Sequence, residues 1–228
     1  MAEDEFRFLR KKANWRALHF YQKAEALYQL TYAFQRRFLK KGDRTIDQMV
    51  QAARSCTQNI IEGSEDGLTS TETEVKLMNV ARSSMQELQN DYEQYLVTRQ
   101  LTKWEPGHPR YQAMVDYCRN RNAVGCYEPY FNTMSDEELA NTALTLCHFI
   151  DKMMTNHINR LEHNFVEEGG IKERMTAARL GRRQSQNEEI KALKARVAEL
   201  EGKLRKWQEW YRENYRKPSD TLGNPRIT

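Results

Sequence analysis

Glycine and proline are scarce in this sequence, at ten and five of 228 residues. A β-sandwich or barrel needs a turn about every 8 to 12 residues, so the scarcity disfavours both and favours long helices with few connections. No apolar run approaches the roughly 18 residues of a membrane span, and residues 1–5 are acidic where a signal peptide would be basic and then apolar. We therefore expect a cytoplasmic, all-α protein of one or two domains.

The sequence signatures of common enzymes and metal centres are also lacking. None of GxGxxG, GxxxxGK[ST], GxSxG and HExxH occurs. The cysteines form no CxxC pair, which favours free thiols; they are Cys56, Cys118, Cys126 and Cys147. His148 and Asp151 lie three residues apart on one predicted helix, a spacing that a simple hydrogen bond explains more often than catalysis. We predict that the protein is not an enzyme and holds no metal or cofactor.

Apolar residues recur at helical spacing in four segments. They predict a helix over 15–41, a second from Thr45 or Asp47 to Gly63, a third after a capping box at Thr71 and Glu74, and a fourth after a capping box at Ser135 and Glu138. Residues 102–134 combine prolines and glycines with many aromatics, which predicts an ordered insertion with a short helix near 109–121. The predicted fold is an antiparallel up-and-down four-helix bundle.

The division into segments follows from Gly169-Gly170 and from the composition on either side. We expect a basic N-terminal arm over 1–14, the bundle over 15–168 with its insertion at 102–134, a basic suffix helix over 171–217, and a disordered tail over 218–228.

Within the suffix helix, apolar residues alternate at steps of three and four. They predict a coiled-coil seam made of Ile190, Leu193, Val197, Leu200, Leu204 and Trp207. In a parallel assembly, Glu189 and Arg196 would face Lys194 and Glu201 of the neighbouring helix with opposite charge. Trp207 is too bulky for a tight dimeric seam, so the helix is expected to join a larger assembly or to dock on a partner helix. The alternative is a lone amphipathic helix that folds back on the bundle.

Charge is distributed unevenly along the chain. Residues 6–54 carry 12 cations against 3 anions, residues 62–93 carry 2 against 8, and residues 172–217 carry 14 against 7. Because cations neutralise phosphates and aromatic faces stack on unpaired bases, the two basic blocks suit an RNA partner. The candidate nucleic-acid-binding residues are Arg10, Lys11, Lys12, Arg16, Arg36, Arg37, Lys40, Lys41, Arg44, Arg54, Arg182 and Arg183. The alternative is that the aromatics of the first block build the core and the cations form a solvated face.

The most specific motif spans two helices. It reads AARSCTQNIIEG from Ala52 to Gly63 and continues as LMNVARSSMQE from Leu77 to Glu87. Asn59 and Glu62 share a helix face near a helix carboxyl end. The partial negative charge of that end disfavours a carboxylate that has no cation beside it, and Arg82 is the expected partner of Glu62.

This motif resembles the bacterial four-helix-bundle family of ribosomal-RNA intervening-sequence proteins and of the accessory variability determinant of diversity-generating retroelements. The resemblance is to the longer variety with a suffix domain, and its motif residues are Asn59, Glu62, Gly63 and Arg82. It implies a homopentameric ring and, for the retroelement member, binding to a reverse transcriptase and its RNA. This chain has Val50-Gln51 where the family has paired arginines, and the acidic Ser64-Glu65-Asp66 after the glycine. The nucleic-acid prediction therefore rests on residues 7–44 and 172–217.

The leading hypothesis is a non-enzymatic, oligomeric accessory protein that binds RNA or DNA, with a retroelement reverse transcriptase as a candidate partner. An acidic third helix can face the basic first helix of a neighbour, the head-to-tail contact that closes a ring. The alternative is a structural oligomerisation hub that recruits a protein partner through its coiled coil.

Overall fold

A computed structural model describes residues 13–215 of the chain. Every regular element in this range is helical, which confirms the all-α class. The predicted binding residues Arg10, Lys11 and Lys12 and the predicted tail over 218–228 lie outside the described residues.

Six α-helices follow one another along the described chain. They are α1 (His19–Phe38), α2 (Arg44–Asp66), α3 (Thr71–Thr98), α4 (Tyr111–Asn120), α5 (Asp136–Glu168) and α6 (Ile171–Tyr215). Short 3-10 helices occur at Trp15–Ala17, Val124–Cys126 and Glu128–Tyr130. The short helix predicted near 109–121 is present as α4. No described helix combines the length and the apolar composition that crossing a membrane requires.

The turn between α1 and α2 shows why α2 begins earlier than predicted. Gly42 adopts φ 94°, a left-handed conformation that glycine reaches without strain. Asp43 follows as the N-cap, and its carboxylate accepts a hydrogen bond from the Thr45 amide at 2.9 Å. The predicted start at Thr45 or Asp47 was wrong, because Asp43 already satisfies an amide of the first turn.

The two predicted capping boxes had different outcomes. At α5 the box is present: Ser135 Oγ accepts from the Glu138 amide at 3.2 Å, and a Glu138 carboxylate oxygen accepts from the Ser135 amide at 2.8 Å. At α3 the predicted box was wrong by one position. Ser70 is the N-cap and accepts from the Thr73 amide at 3.1 Å, while Glu74 is buried beside His157, with 3.5 Å between carboxylate and imidazole.

Four of the helices enclose one core. Helix α1 contacts α2 and α5, and α3 contacts the same two helices; we call α1, α2, α3 and α5 the helical core. Its largest fully buried side chains include Leu27, Leu30, Phe34, Met49, Ile60, Met78, Met85, Leu88, Tyr92 and Leu139. Burial of these apolar surfaces is the main stabilising contribution to the fold.

Polar contacts identify which helix ends lie together. Arg99, at the end of α3, donates to the Phe38 carbonyl oxygen at the end of α1 at 3.5 Å. The Tyr95 hydroxyl on α3 donates to Asp136 at the start of α5 at 3.0 Å. The end of α1, the start of α2, the end of α3 and the start of α5 are therefore neighbours, and we call this region the turn end.

The described chain forms two compact units that divide between Met175 and Thr176. Residues 13–175 contain the helical core and the insertion. Residues 176–215 belong to the single continuous helix α6, in which no described side chain is buried.

Candidate nucleic-acid interface

The turn end carries a group of exposed cations. Of the predicted binding residues, the structure brings together Arg36, Arg37, Lys40, Lys41 and Arg44, all exposed. They converge because α1 ends and α2 begins there. Arg99 joins them from α3, and we call the six residues the turn cluster. Sequence reasoning missed Arg99, because only the folded position of α3 places it beside residues more than fifty positions earlier.

Within the turn cluster, most charges are available to a ligand. Arg36, Lys40, Lys41 and Arg44 have no ion-pair partner among residues 13–215. Arg37 is engaged locally, because its guanidinium donates to the Phe131 carbonyl oxygen and lies 4.4 Å from the Phe38 ring centroid.

Two carboxylates, those of Asp43 and Asp47, lie at the edge of the turn cluster. The hydrogen bond from Thr45, with a smaller contribution from the charge of Arg99, lowers the pKa of the Asp43 carboxyl. Asp43 is thus anionic at neutral pH, but its oxygen is used to cap α2. The surface groove at this turn is lined by Arg36, Lys41 and Arg44 as well as by Asp43 and Asp47, so cations outnumber anions there.

Tyr32 is the exposed aromatic residue beside the turn cluster. Its exposed fraction is 46%, whereas Phe20, Tyr21 and Phe34 from the same basic block are buried in the core. Tyr32 and Arg36 lie one helical turn apart and line a shallow groove shared with Arg37, Asn132 and the carboxylates of Glu25 and Glu128. Phe20, Tyr21 and Phe34 therefore build the core, whereas Tyr32 offers a face for stacking.

The remaining predicted cations lie elsewhere. Arg16 precedes α1, with its guanidinium 4.0 Å from the Trp15 ring centroid, whereas Arg36 lies in the last turn of α1. Arg54 is exposed in the middle of α2. Arg182 and Arg183 are exposed on α6, in the other compact unit.

The motif residues build the contact between α2 and α3. Asn59 Nδ2 donates to the Ser55 carbonyl oxygen at 2.8 Å and to Ser55 Oγ at 3.2 Å, and Ser55 Oγ lies 2.9 Å from Ser84 Oγ on α3. A Cβ atom placed on Gly63 would lie 3.1 Å from Leu77 Cβ. Gly63 was expected to end α2, and that was wrong: the helix continues to Asp66, and Gly63 lets α3 approach closely.

The predicted pair between Glu62 and Arg82 was also wrong. Arg82 Nε donates to Asp151 Oδ1 on α5 at 2.8 Å. Glu62 is exposed and has no ion-pair partner among residues 13–215. Helical periodicity indicates which face of α3 carries Arg82, but not which neighbouring helix supplies its partner. Asp151, three residues after His148 on α5, pairs with Arg82, and His148 is exposed.

A buried lysine ties the insertion to α1. Lys23 has no exposed surface, and its ammonium group donates to the carbonyl oxygen of Cys118 and, at 2.6 Å, to that of Arg121, at the end of α4. Burial lowers the pKa of Lys23. Sequence reasoning counted Lys23 only as part of the basic block. Its spacing from Phe20 and Leu27, three and four residues away on the apolar face, was the signal that could have identified it.

The predicted seam residues of α6 lie on an exposed apolar stripe. Their exposed fractions run from 49% for Ile190 and Leu200 to 59% for Leu193. Among the charges that flank the stripe, Arg196 and Lys203 pair within the helix with Glu199, at 2.7 and 2.6 Å. Among the described residues, no group of three or more His, Cys, Asp or Glu side chains could hold a metal ion.

Comparison with known proteins supports the resemblance seen in the motif. Residues 16–105, which contain α1, α2, α3 and the start of the insertion, match the model of the family described as 23S rRNA-intervening sequence protein. The match covers less than half of the chain. No curated protein and no solved structure matches this chain.

Proposed function

From the family match over residues 16–105 we propose that this protein is a non-enzymatic, RNA-binding accessory protein built on an antiparallel up-and-down four-helix bundle. The observation that carries the proposal is the turn cluster, in which Arg36, Lys40, Lys41 and Arg44 are exposed and unpaired within residues 13–215 beside the exposed ring of Tyr32. The matching family is described by reference to 23S rRNA, which makes RNA the first ligand to test.

The chemistry of the turn cluster suits a single-stranded or unpaired region of RNA. Each cation that neutralises a phosphate releases a counterion, which makes the affinity depend steeply on salt. Tyr32 supplies the stacking face that distinguishes an unpaired base from a paired one.

The proposal includes self-assembly in the cytoplasm. The resemblance implies a ring of five chains, and the excess of anions on α3 complements the excess of cations on α1 of a neighbour. A retroelement reverse transcriptase is the candidate protein partner. Light scattering at micromolar concentration should give a mass of several chains; a monomer mass would contradict this part of the proposal.

The RNA proposal is tested by removing charge from the turn cluster. The variant Arg36→Gln/Lys40→Gln/Lys41→Gln/Arg44→Gln should lose affinity for a labelled single-stranded RNA, and the slope of log affinity against log salt should fall by up to about 3, since each phosphate contact contributes about 0.7. The measurement is fluorescence anisotropy between 50 and 200 mM salt, a fourfold range over which a slope of about 3 corresponds to an affinity change of about 50-fold.

The matched control removes the same charge from other exposed positions of the same unit. The variant Arg119→Gln/Arg160→Gln/Lys76→Gln/Lys152→Gln also loses two arginines and two lysines, all exposed. It should bind RNA nearly as the wild type does. Equal losses in the two variants would show that net charge, not the turn cluster, determines binding.

The exposed seam of α6 favours a second candidate function, the oligomerisation hub. Its apolar positions are about half exposed in a single chain, and burying them would contribute free energy to association. In the full chain, Leu193→Gln/Leu200→Gln should then lower the assembly mass or abolish capture of a protein partner without changing RNA affinity.

A further inference from the structure

An apolar cavity lies where the insertion covers α1 and α5. Its volume is about 260 Å³, and its walls include Trp104, Met114, Tyr117, Tyr127, Phe131 and Leu139. An apolar cavity of about 150 Å³ is enough to take benzene. The space in the insertion is therefore large enough for a two-ring planar molecule.

The aromatic walls are held in place by hydrogen bonds. The Trp104 amide donates to Asn141 Oδ1 at 2.7 Å and its indole Nε1 donates to Glu137 at 2.9 Å. The Tyr127 hydroxyl donates to the Arg121 carbonyl oxygen at 2.9 Å, and the Tyr117 hydroxyl donates to that of Cys126. Because these bonds fix the rings from behind, the cavity is preorganised for a ligand.

The rim of the cavity is polar. Arg110 Nη1 lies 2.6 Å from Glu138 Oε1, and the two side chains are 62% and 30% exposed. The Arg110 guanidinium is 5.7 Å from the Trp104 ring centroid. A ligand in the cavity thus meets aromatic faces inside and both donors and an acceptor at the opening. An aliphatic side chain would leave these rim groups unused.

The cavity adjoins the groove that holds Tyr32. Phe131 lines both, and Arg37 from the turn cluster donates to the Phe131 carbonyl oxygen. One cation of the turn cluster, Arg37, therefore contacts a residue of the cavity wall.

We propose that this cavity takes one unpaired base of the RNA that the turn cluster binds. The inference rests on the proposed function. A base has two apolar faces, which the aromatic walls contact, and a polar edge with donors and acceptors, which the rim pair of Arg110 and Glu138 meets. Continuity with the turn cluster favours an RNA base over an aromatic side chain of a protein.

The test compares two probes that carry the same phosphates. One is a twelve-nucleotide oligoadenylate; the other is a chain of twelve ribose phosphates without bases. The Kd of the baseless chain divided by the Kd of the oligoadenylate measures the contribution of the bases alone. Filling the cavity with Thr142→Met should lower this ratio about tenfold, within the range known for loss of one stacked base, and should leave the affinity for the baseless chain unchanged.

Thr145→Met is the matched control for cavity filling. Thr142 and Thr145 both donate within α5, to the carbonyl oxygens of Glu138 and Asn141 at 2.8 and 2.9 Å, but Thr145 does not line the cavity. Thr145→Met should keep the wild-type ratio. A second variant, Arg110→Gln, removes a rim cation without altering the core, and it should lower the ratio. Arg119→Gln is its control: Arg119 lies on α4 and is similarly exposed, and its replacement should leave the ratio unchanged.

The outcomes separate this inference from the proposed function. If the wild type binds neither probe, both are overturned. If it binds both probes through the turn cluster but Thr142→Met and Arg110→Gln leave the ratio unchanged, the base site is overturned and RNA binding stands. A ratio that falls in these two variants and in neither control supports the base site.

Discussion

Arg82 on α3 is paired with Asp151 on α5, with 2.8 Å between Nε and Oδ1. Both side chains are about one-third exposed, and Gln86 Nε2 lies 3.5 Å from the same carboxylate oxygen. The pair therefore connects the third and fourth helices of the core, and it does so at a surface where water competes for both charges.

We expect a modest coupling energy between Arg82 and Asp151. A double-mutant cycle with Arg82→Ala and Asp151→Ala should give less than about 1 kcal/mol, because partly exposed pairs are screened by solvent. The measurement is urea unfolding. Glu62→Ala serves as the control: it should change stability by less than about 0.5 kcal/mol and add independently to Arg82→Ala. Coupling between Glu62 and Arg82 would contradict the observed pairing.

Gly63→Ala should destabilise the helical core. In an open helix this substitution is favourable by up to about 1 kcal/mol. At Gly63 the new Cβ would lie 3.1 Å from Leu77 Cβ, which moves only with the backbone of α3, and 3.4 Å from the Glu74 carbonyl oxygen. The helices must separate, at a cost of about 1–3 kcal/mol that outweighs the gain in helix propensity.

Gly202→Ala is the control for Gly63→Ala. Gly202 also lies inside a helix, but a Cβ there would meet no atom within 4 Å. Because Gly202 lies in the other compact unit, its replacement should leave the urea stability of the helical core unchanged. A Gly63→Ala protein that is more stable to urea than the wild type would show that α3 yields to the added methyl group.

Several features of the fold were predictable because local sequence determines them. The Ser135 and Glu138 capping box satisfies two amides within four residues, so it needs no information from the rest of the chain. At α3, three neighbouring residues could have capped the helix. Ser70 does so, and Thr71 is only 7% exposed; the sequence alone does not distinguish the two.

The parts of the site that were not predictable depend on how distant helices meet. Tyr32 could not be distinguished from Phe34 by composition, although Tyr32 is exposed and Phe34 fully buried. Arg99 reaches the turn cluster only because α3 ends beside α1. Likewise, the aromatics of the insertion were expected to be ordered, but the cavity that they enclose depends on their packing against α5.

Lys23→Met should loosen the insertion. Methionine has a similar length and removes the buried charge, but it leaves the carbonyl oxygen of Cys118 without this donor and that of Arg121 with the Tyr127 hydroxyl alone. An unpaired buried acceptor at Cys118 costs about 1–3 kcal/mol, and the link from α1 to the end of α4 is lost. Amide hydrogen exchange should accelerate over residues 111–131 and change little in α2.

Lys41→Met, at an exposed position, is the control and should leave exchange in the insertion unchanged. Equal exchange in both variants would contradict a role for Lys23 in holding α4.

Stability should fall as pH rises above 9, and Cys56 should account for part of the fall. Burial raises the pKa of the Cys56 thiol from 9.0 to about 12. Because the folded pKa is the higher one, the stabilisation is complete below pH 9, where both states hold the proton, and is lost as pH rises towards 12 and the unfolded thiol ionises first. One such group contributes a slope of about 1.4 kcal/mol per pH unit within that window.

The measurement is urea unfolding between pH 8 and 11. Cys56→Ala should reduce the slope of stability against pH by about this amount. Met49→Leu, at another fully buried position on α2, should shift the stability without changing the slope. A slope that Cys56→Ala leaves intact would assign the alkaline loss to other buried groups, of which Cys118, with a pKa raised to about 11, is the next to replace.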